Sequence, residues 1–150
     1  MIKFLPLLLL VGFLSCKKEV APIPTTELLS KSWKMTNRTV LTPLAGTPFE
    51  GMPTNWFGGN PCISDKIQTF QPDGTFLHEK ANTCTNDVQY KGTWMLTANN
   101  KNIDIKYTGG GYEDFNYILI ELTSSKLKVQ KIESVGAYHL LIMYEFVPKN

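Results

Sequence analysis

The chain lacks several features that would point to a particular chemistry. Its 150 residues include only two histidines and three cysteines, and neither histidine has the spacing of a metal ligand. Lys and Arg total 15 against 13 Asp and Glu, so charge indicates neither nucleic acid nor cations as partners. The glycines at 109–111 precede neither a helix nor a lysine, unlike a phosphate-binding loop. We therefore expect no catalytic residues, no metal and no cofactor.

Long hydrophobic runs and helical periodicity are also missing. The strongly apolar run at 4–14 is shorter than the roughly 20 residues that a transmembrane helix needs. One short helix is predicted over 27–31, with Thr25 or Thr26 as its cap. The rest of the chain is rich in β-branched and aromatic residues, which predicts an all-β domain.

The N-terminus has the arrangement of a bacterial export signal. Lys3 precedes the apolar run, which has the length of a signal-peptide core and ends in a serine followed by Cys16. This ending resembles the lipobox of bacterial lipoproteins, although two of its residues depart from the usual pattern. We expect a signal peptide over 1–15, a lipid such as palmitate on Cys16, and a tether over 16–25. The alternative is an uncleaved hydrophobic anchor.

The two remaining cysteines are expected to form a disulfide. An odd thiol in an exported protein needs an explanation, and lipidation of Cys16 leaves Cys62 and Cys84 as one pair. Pro72-Asp73-Gly74 predicts a hairpin turn. A turn centred on Asp73, or between Asp73 and Gly74, places the two cysteines opposite or nearly opposite each other at the open end of the hairpin.

Eight strand-like segments follow the predicted helix, separated by turn residues. Their short connections favour antiparallel pairing of sequential neighbours. Eight such strands close into an up-and-down barrel without free edges, and a two-sheet sandwich is the alternative. The domain occupies 26–150. The predicted strands are 33–41, 63–70, 75–80, 88–96, 103–107, 115–122, 126–132 and 138–146.

Alternation within these strands predicts which side chains point inward. The first strand is expected to turn Trp33, Met35, Asn37, Thr39 and Leu41 to one face. Bulky inward aromatics can line a ligand pocket or fill an eight-stranded barrel solidly, and both alternatives stay open. The inward aromatics are predicted to be Trp33, Tyr90, Trp94, Tyr138, Tyr144 and Phe146.

A long loop over 42–61 carries three further aromatic residues, Phe49, Trp56 and Phe57. Long loops in compact domains are often functional, and exposed aromatics serve as contact anchors. These side chains are therefore binding candidates. Alternatively, they fold back as a lid on one end of the barrel.

Several short motifs resemble, in order and spacing, the lipocalin-like domain of small Bacteroidetes lipoproteins. They are Leu28-Leu29 before Trp33, the Thr69-Phe70 and Asp73-Gly74-Thr75-Phe76 pair, Gly92-Thr93-Trp94, and Leu122-Thr123 before Leu127. The resemblance covers about 27–147, although Lys31 stands where the family often has glycine. It implies an eight-stranded barrel with a short N-terminal helix, a disulfide and an outer-membrane address.

Two non-enzymatic functions remain open. The first is a membrane-anchored lipocalin-like carrier of a small hydrophobic ligand, lined by the aromatics at 90, 94, 138 and 144. The second is an accessory domain with a solid barrel, which contacts a protein or glycan through the 42–61 loop. The expected location is the outer membrane, on the periplasmic face or the cell surface.

Overall fold

The protein folds as a closed, eight-stranded antiparallel barrel preceded by one short helix, in a computed structural model that describes residues 23–52, 66–79, 88–109 and 113–149. Each strand pairs with its sequence neighbour, and the first pairs with the last. The predicted barrel is therefore confirmed over the sandwich. Its elements are α1 (Thr25–Leu29), β1 (Ser32–Val40), β2 (Ile67–Phe70), β3 (Thr75–Glu79), β4 (Tyr90–Thr97), β5 (Asn102–Tyr107), β6 (Phe115–Leu122), β7 (Leu127–Val135) and β8 (Tyr138–Pro148).

The strand bounds differ from prediction in a few places. β6 has the predicted bounds, whereas β7 continues past Ile132 to Val135. β4 begins at Tyr90, so Val88 precedes it and is 50% exposed. β2 begins at Ile67, and the first predicted residues of that strand, 63–65, lie outside the described residues.

The β2–β3 hairpin has one of its two predicted registers. Phe70 pairs with Phe76, so the turn centres on Asp73. Gly74 has φ of +86°, a conformation that favours glycine, and the Asp73 carboxylate accepts the Thr75 N–H at 2.8 Å. That hydrogen bond lowers the pKa of Asp73 below its ordinary value. The cysteines at 62 and 84, predicted to face each other at the other end of this hairpin, lie outside the described residues.

The predicted alternation of β1 is correct for its first half and wrong for its second. Trp33 and Met35 are buried as predicted, but the register with β8 shifts between Met35 and Asn37. The extra residue of such a β-bulge reverses the faces that follow it. Arg38 and Val40 are therefore buried. The residues predicted to be inward there, Asn37, Thr39 and Leu41, are half-buried or, for Leu41, exposed.

Helix α1 covers the end of the barrel where β1 begins. Leu29 is fully buried, and its carbonyl accepts the indole N–H of Trp33 at 2.9 Å. The predicted threonine cap is wrong, because Pro24 precedes the helix and both threonines lie inside it. The Pro24 carbonyl accepts the Leu28 N–H at 3.1 Å, a hydrogen bond at the start of the helix. No helix in the described ranges is long and apolar enough to span a membrane.

Large apolar side chains fill the half of the barrel next to α1. The Phe70 ring lies 5.2 Å from that of Phe76 and meets Trp94 edge-on at 5.5 Å. The Trp94 indole N–H donates to the Gln71 carbonyl at 2.9 Å, so its polar atom is satisfied. We call this the proximal half of the barrel, and the half away from α1 the distal half. The proximal half is a packed apolar core.

Close approach of β5 to β4 requires a glycine at position 92. A Cβ there would lie 2.2 Å from the Lys106 carbonyl oxygen and 3.1 Å from the Tyr107 Cα. Both are backbone atoms, so the two strands would have to separate.

We expect Gly92→Ala to lower the free energy of unfolding by about 1–3 kcal/mol, the usual cost of overpacking. Urea unfolding measures this. Thr93→Ala, at the neighbouring exposed position, is the control and should cost less than about 1 kcal/mol. Equal stability of the two variants would contradict the prediction.

Candidate functional site

Burial of the inward-facing residues falls from the proximal to the distal half of the barrel. Along β7, Leu127 and Val129 are fully buried, whereas Lys131, Glu133 and Val135 are half-buried. The same alternation places all five on the inner face of the strand. The distal end of the barrel interior is therefore reached by solvent. Two ionisable side chains of β7, those of Lys131 and Glu133, point into it.

Arg38 and Glu133 form an ion pair across the distal interior. Arg38, a residue only 7% exposed, donates from Nη2 to Glu133 Oε2 at 2.6 Å. Its Nε donates to the Tyr144 hydroxyl at 3.3 Å, and that hydroxyl donates in turn to Glu133 Oε1. Strands β1, β7 and β8 thus supply one side chain each. Hydrogen bonds to charged groups are the stronger ones in proteins, and this arrangement holds all three side chains in place.

We call Arg38, Glu133, Tyr144 and the neighbouring Lys131 the ion cluster. Within it, the pKa of Glu133 is lowered and the pKa of Tyr144 is raised. Burial by itself would raise the pKa of Glu133, but the Tyr144 hydrogen bond and the charges of Arg38 and Lys131 lower it below its ordinary value of 4.5. The pKa of Tyr144 is raised by burial and by the Glu133 charge. At neutral pH the carboxylate is therefore ionised and the phenol carries its proton.

Lys131 is the second cation of the distal interior. Its Nζ lies 4.2 Å from the centroid of the Phe115 ring and 3.7 Å from Glu133 Oε1. The first contact is a cation–π interaction, and the second is longer than a hydrogen bond. Burial lowers the pKa of Lys131 below its ordinary value, against the opposing effect of Glu133.

Gln68 adds a buried amide to the same region. It is 2% exposed, and its Nε2 donates to the Tyr117 hydroxyl at 2.9 Å. The Gln68 Oε1 is buried, and no described residue bonds to it. The Tyr117 ring lies 4.9 Å from Phe115 and 5.9 Å from Tyr144, which links the amide to the ion cluster. Burial raises the pKa of Tyr117 well above its ordinary value.

Aromatic rings line the distal interior on the side of β3–β6. His78 Nδ1 lies 3.4 Å from the Tyr107 hydroxyl, and Tyr90 meets both His78 and Tyr107 edge-on. The Tyr107 ring lies 5.7 Å from Phe115, which continues the row to Lys131. Such rings offer apolar faces and polar edges to a small molecule. Among the residues that the structure describes, no group of three His, Cys, Asp or Glu side chains could hold a metal ion.

The predicted binding residues separate into three groups. Tyr144 belongs to the distal cluster and Tyr90 to its aromatic row, whereas Trp94 lies in the packed proximal half. Tyr138, predicted to point inward, is 39% exposed because it begins β8 at the rim of the barrel, where Phe49 packs edge-on against it at 5.7 Å. The predicted Trp56, Phe57, Cys16, Cys62 and Cys84 lie outside the described residues.

Five residues of the distal cluster were not predicted as site residues. Arg38 was assigned to the outer face, because the bulge that reverses β1 leaves no mark in the sequence. Lys131 lies within the predicted seventh strand and Glu133 lies one residue beyond its predicted end, and both continue the alternation of Leu127 and Val129. For Gln68 and Tyr117, the only indication in the sequence was the two-residue alternation of their strands, which places each side chain on the inner face. The missed residues are Arg38, Gln68, Tyr117, Lys131 and Glu133.

The lowered pKa of Glu133 predicts a pH-dependent contribution to stability. A carboxylate whose pKa is lower in the folded state stabilises the protein above its unfolded pKa, and this stabilisation is lost as pH falls through the folded value. We expect Glu133→Gln to lower the free energy of unfolding by about 1–3 kcal/mol at pH 7, because Arg38 loses its anion. The difference in unfolding free energy between the two proteins should shrink below pH 4.5, the ordinary pKa of a glutamate, because Glu133 of the unmodified protein then becomes protonated.

Urea unfolding of both proteins at pH 7, 5 and 3 measures this deficit. Glu121→Gln is the matched control, since Glu121 forms an exposed ion pair with Lys126 at 3.0 Å. That pair should contribute less than about 1 kcal/mol. A deficit in the Glu133 variant that stays constant from pH 7 to pH 3 would show that its charge does not act as described.

Comparison with known proteins assigns the fold to a family. The chain matches the model of the lipocalin-like domain over residues 29–129, from the end of α1 into β7. No curated protein matches the chain. Lys131, Glu133 and Tyr144 lie beyond the matched residues, so the family match does not itself account for the ion cluster. The match covers more than half of the chain, and the barrel has the eight strands that the resemblance implied. The protein belongs to the lipocalin-like domain family.

Proposed function

We propose that the protein is a non-enzymatic binding protein that takes a small amphipathic molecule into the distal half of its barrel. The observation that carries this proposal is the ion cluster on the inner face of β1 and β7. Arg38 and Glu133 point into the barrel, although buried ion pairs are often no more stabilising than apolar side chains of similar volume. Fold stability alone gives little reason for them, whereas binding of a polar group does.

The packed proximal half limits the size of the proposed ligand. Trp33, Phe70 and Phe76 are at most 1% exposed, so they act as a floor beneath the distal interior. Between the two alternatives of a hollow and a solid barrel, the side chains support a barrel that is solid near α1 and accessible at its other end. The proposed ligand is therefore short rather than a chain that runs the full length of the barrel.

The accessory-domain alternative receives less support from residues 42–52, the part of the loop that the structure describes. Phe49 is half-buried and packs against Tyr138 and the core, which suits a lid better than an exposed contact anchor. Two hydrogen bonds fold this part of the loop back on itself, from the Thr47 and Glu50 N–H groups to the Leu44 and Thr47 carbonyls. A lid over the distal end fits a protein that holds a small molecule.

The two histidines support binding rather than catalysis. His78 belongs to the aromatic row, and His139 lies on the exposed β7–β8 hairpin, where its Nδ1 lies 3.1 Å from Ser134 Oγ. A catalytic Ser–His pair needs a third group that orients the imidazole. In the described part of the chain, no carboxylate bonds to His139.

Blocking the distal end tests the proposed site. We expect native mass spectrometry of the mature domain from a periplasmic extract to retain a bound mass of a few hundred daltons. Val135→Trp, which places a large ring at the inner face of β7, should remove that mass because it fills the entrance. Ser134→Trp is the matched control, since the neighbouring side chain points outward and is exposed.

Two outcomes would contradict the proposed binding site. One is a protein that stays free of bound mass after incubation with lipid, sterol and aromatic-acid mixtures. The other is a bound mass that Val135→Trp leaves in place while its circular dichroism spectrum matches that of the parent protein. The second result would move the binding site to another surface of the molecule.

We further propose that the protein is held at the outer membrane by a lipid on Cys16, as in the Bacteroidetes lipoproteins that it resembles. The export-like N-terminus and the serine before Cys16 support this location. We expect Cys16→Ser to abolish lipid attachment, because serine lacks the thiol that would carry the lipid. Mass spectrometry of the N-terminal peptide should find a diacylglyceryl and acyl adduct on Cys16. An unmodified Cys16 peptide, or a peptide that still contains residues 1–15, would contradict the proposal.

A further inference from the structure

Three charged residues of the described distal interior, Arg38, Lys131 and Glu133, together carry a net charge of +1, and the exposed Glu113 also raises the pKa of Lys131. Arg38 and Lys131 carry positive charge, and Glu133 is the carboxylate that contacts them. All three face inward and are at least partly shielded from water, so their charges are screened less than those of surface residues. A single negative charge placed among them would make the cluster neutral.

Glu133 is already engaged by two stronger partners than Lys131. Its Oε2 accepts from Arg38 at 2.6 Å, and its Oε1 accepts from the Tyr144 hydroxyl. Lys131 Nζ lies 3.7 Å from Oε1, outside hydrogen-bond distance, and its other contact is the face of Phe115. An ammonium group has three N–H donors. Lys131 is therefore the cation of this cluster with donors to offer.

The surroundings of Lys131 are apolar on one side and polar on the other. The Phe115 ring beneath it continues into Tyr107 at 5.7 Å, and both rings are half-buried. The polar side is formed by Glu133, and Gln68, which bonds to Tyr117 next to Phe115, offers a buried oxygen that no described residue hydrogen-bonds. A buried acceptor of this kind is normally satisfied by a bound donor, such as water or a ligand hydroxyl. The site thus presents a cation beside a flat apolar surface.

We infer that the ligand of this site is a hydrophobic monocarboxylate, whose carboxylate accepts hydrogen bonds from Lys131 while its apolar body lies against Phe115 and Tyr107. The inference rests on the proposed binding function and specifies its ligand class. One carboxylate supplies the single negative charge that balances the described residues Arg38, Lys131 and Glu133, whereas a phosphate dianion would exceed it. An alkyl acid and an aromatic acid share this chemistry, so both must be compared.

Matched acid and alcohol pairs test the inference in the mature domain. We would measure binding of decanoate against decanol, and of 2-naphthoate against 2-naphthalenemethanol, by isothermal titration calorimetry at pH 7. We expect each bound acid to bind about ten- to a hundredfold more tightly than its alcohol, the range for a charged hydrogen bond. A preference within the first pair alone indicates an alkyl acid, and within the second pair alone an aromatic acid.

Removal of the lysine charge should abolish that preference. We expect Lys131→Met to weaken acid binding by about ten- to a hundredfold and to leave alcohol binding unchanged. Lys128→Met is the matched control, since Lys128 lies on the same strand, pairs with Glu145 at 3.2 Å and lies outside the cluster. Lys131→Arg keeps the charge and should keep a preference for the acid.

Failure of this inference is distinguishable from failure of the proposed function. If acid and alcohol bind equally well, or if Lys131→Met retains the preference, the monocarboxylate inference is wrong and ligand binding stands. If neither member of either pair binds and native mass spectrometry also finds no bound mass, the proposed function is wrong. Should Lys131→Met fail to fold, the acid preference of the unmodified protein still decides the question.

Discussion

Pairing of the first strand with the last closes the barrel, and the β-bulge within that pairing determines what the barrel contains. The register between β1 and β8 shifts after Met35, so the following residues exchange faces. Arg38 thereby points inward, where it meets Glu133 from β7 and Tyr144 from β8. Without the shift, the guanidinium would lie on the outer surface and the carboxylate would be left without its strongest partner.

The two halves of the interior differ in the kind of side chain that they contain and therefore in what stabilises them. The proximal half holds apolar side chains and an indole whose N–H is bonded to backbone, which is a packed core in the ordinary sense. The distal half holds an ion pair, a second cation and a buried amide beside half-buried rings. Desolvation of such groups is costly, and stability arises when their hydrogen bonds are completed. The distal half is therefore where the barrel can accommodate a polar ligand group.

Particular residues show how far prediction from the sequence extends. Alternation in β4 and β8 correctly identified Trp94, Tyr144 and Phe146 as buried, because each of those strands keeps an even two-residue period. The turn residues at 72–74 predicted two hairpin registers, and one of them is observed. Arg38 was missed, because an irregularity in strand pairing is decided by the partner strand. Glu133 was missed, because the predicted seventh strand ended at Ile132, whereas β7 continues to Val135.

The sequence by itself determined the all-β class and the number and order of strands, and it predicts a lipoprotein-like N-terminus. These depend on local patterns: a period of two residues, turn residues between strands, and an apolar run ending at Cys16. Only the tertiary structure decided which polar residues meet inside the barrel. Arg38, Gln68, Lys131 and Glu133 come from strands far apart in the chain, and closure of the sheet brings them together. Non-local pairing and its irregularities, rather than local propensity, therefore placed the candidate site.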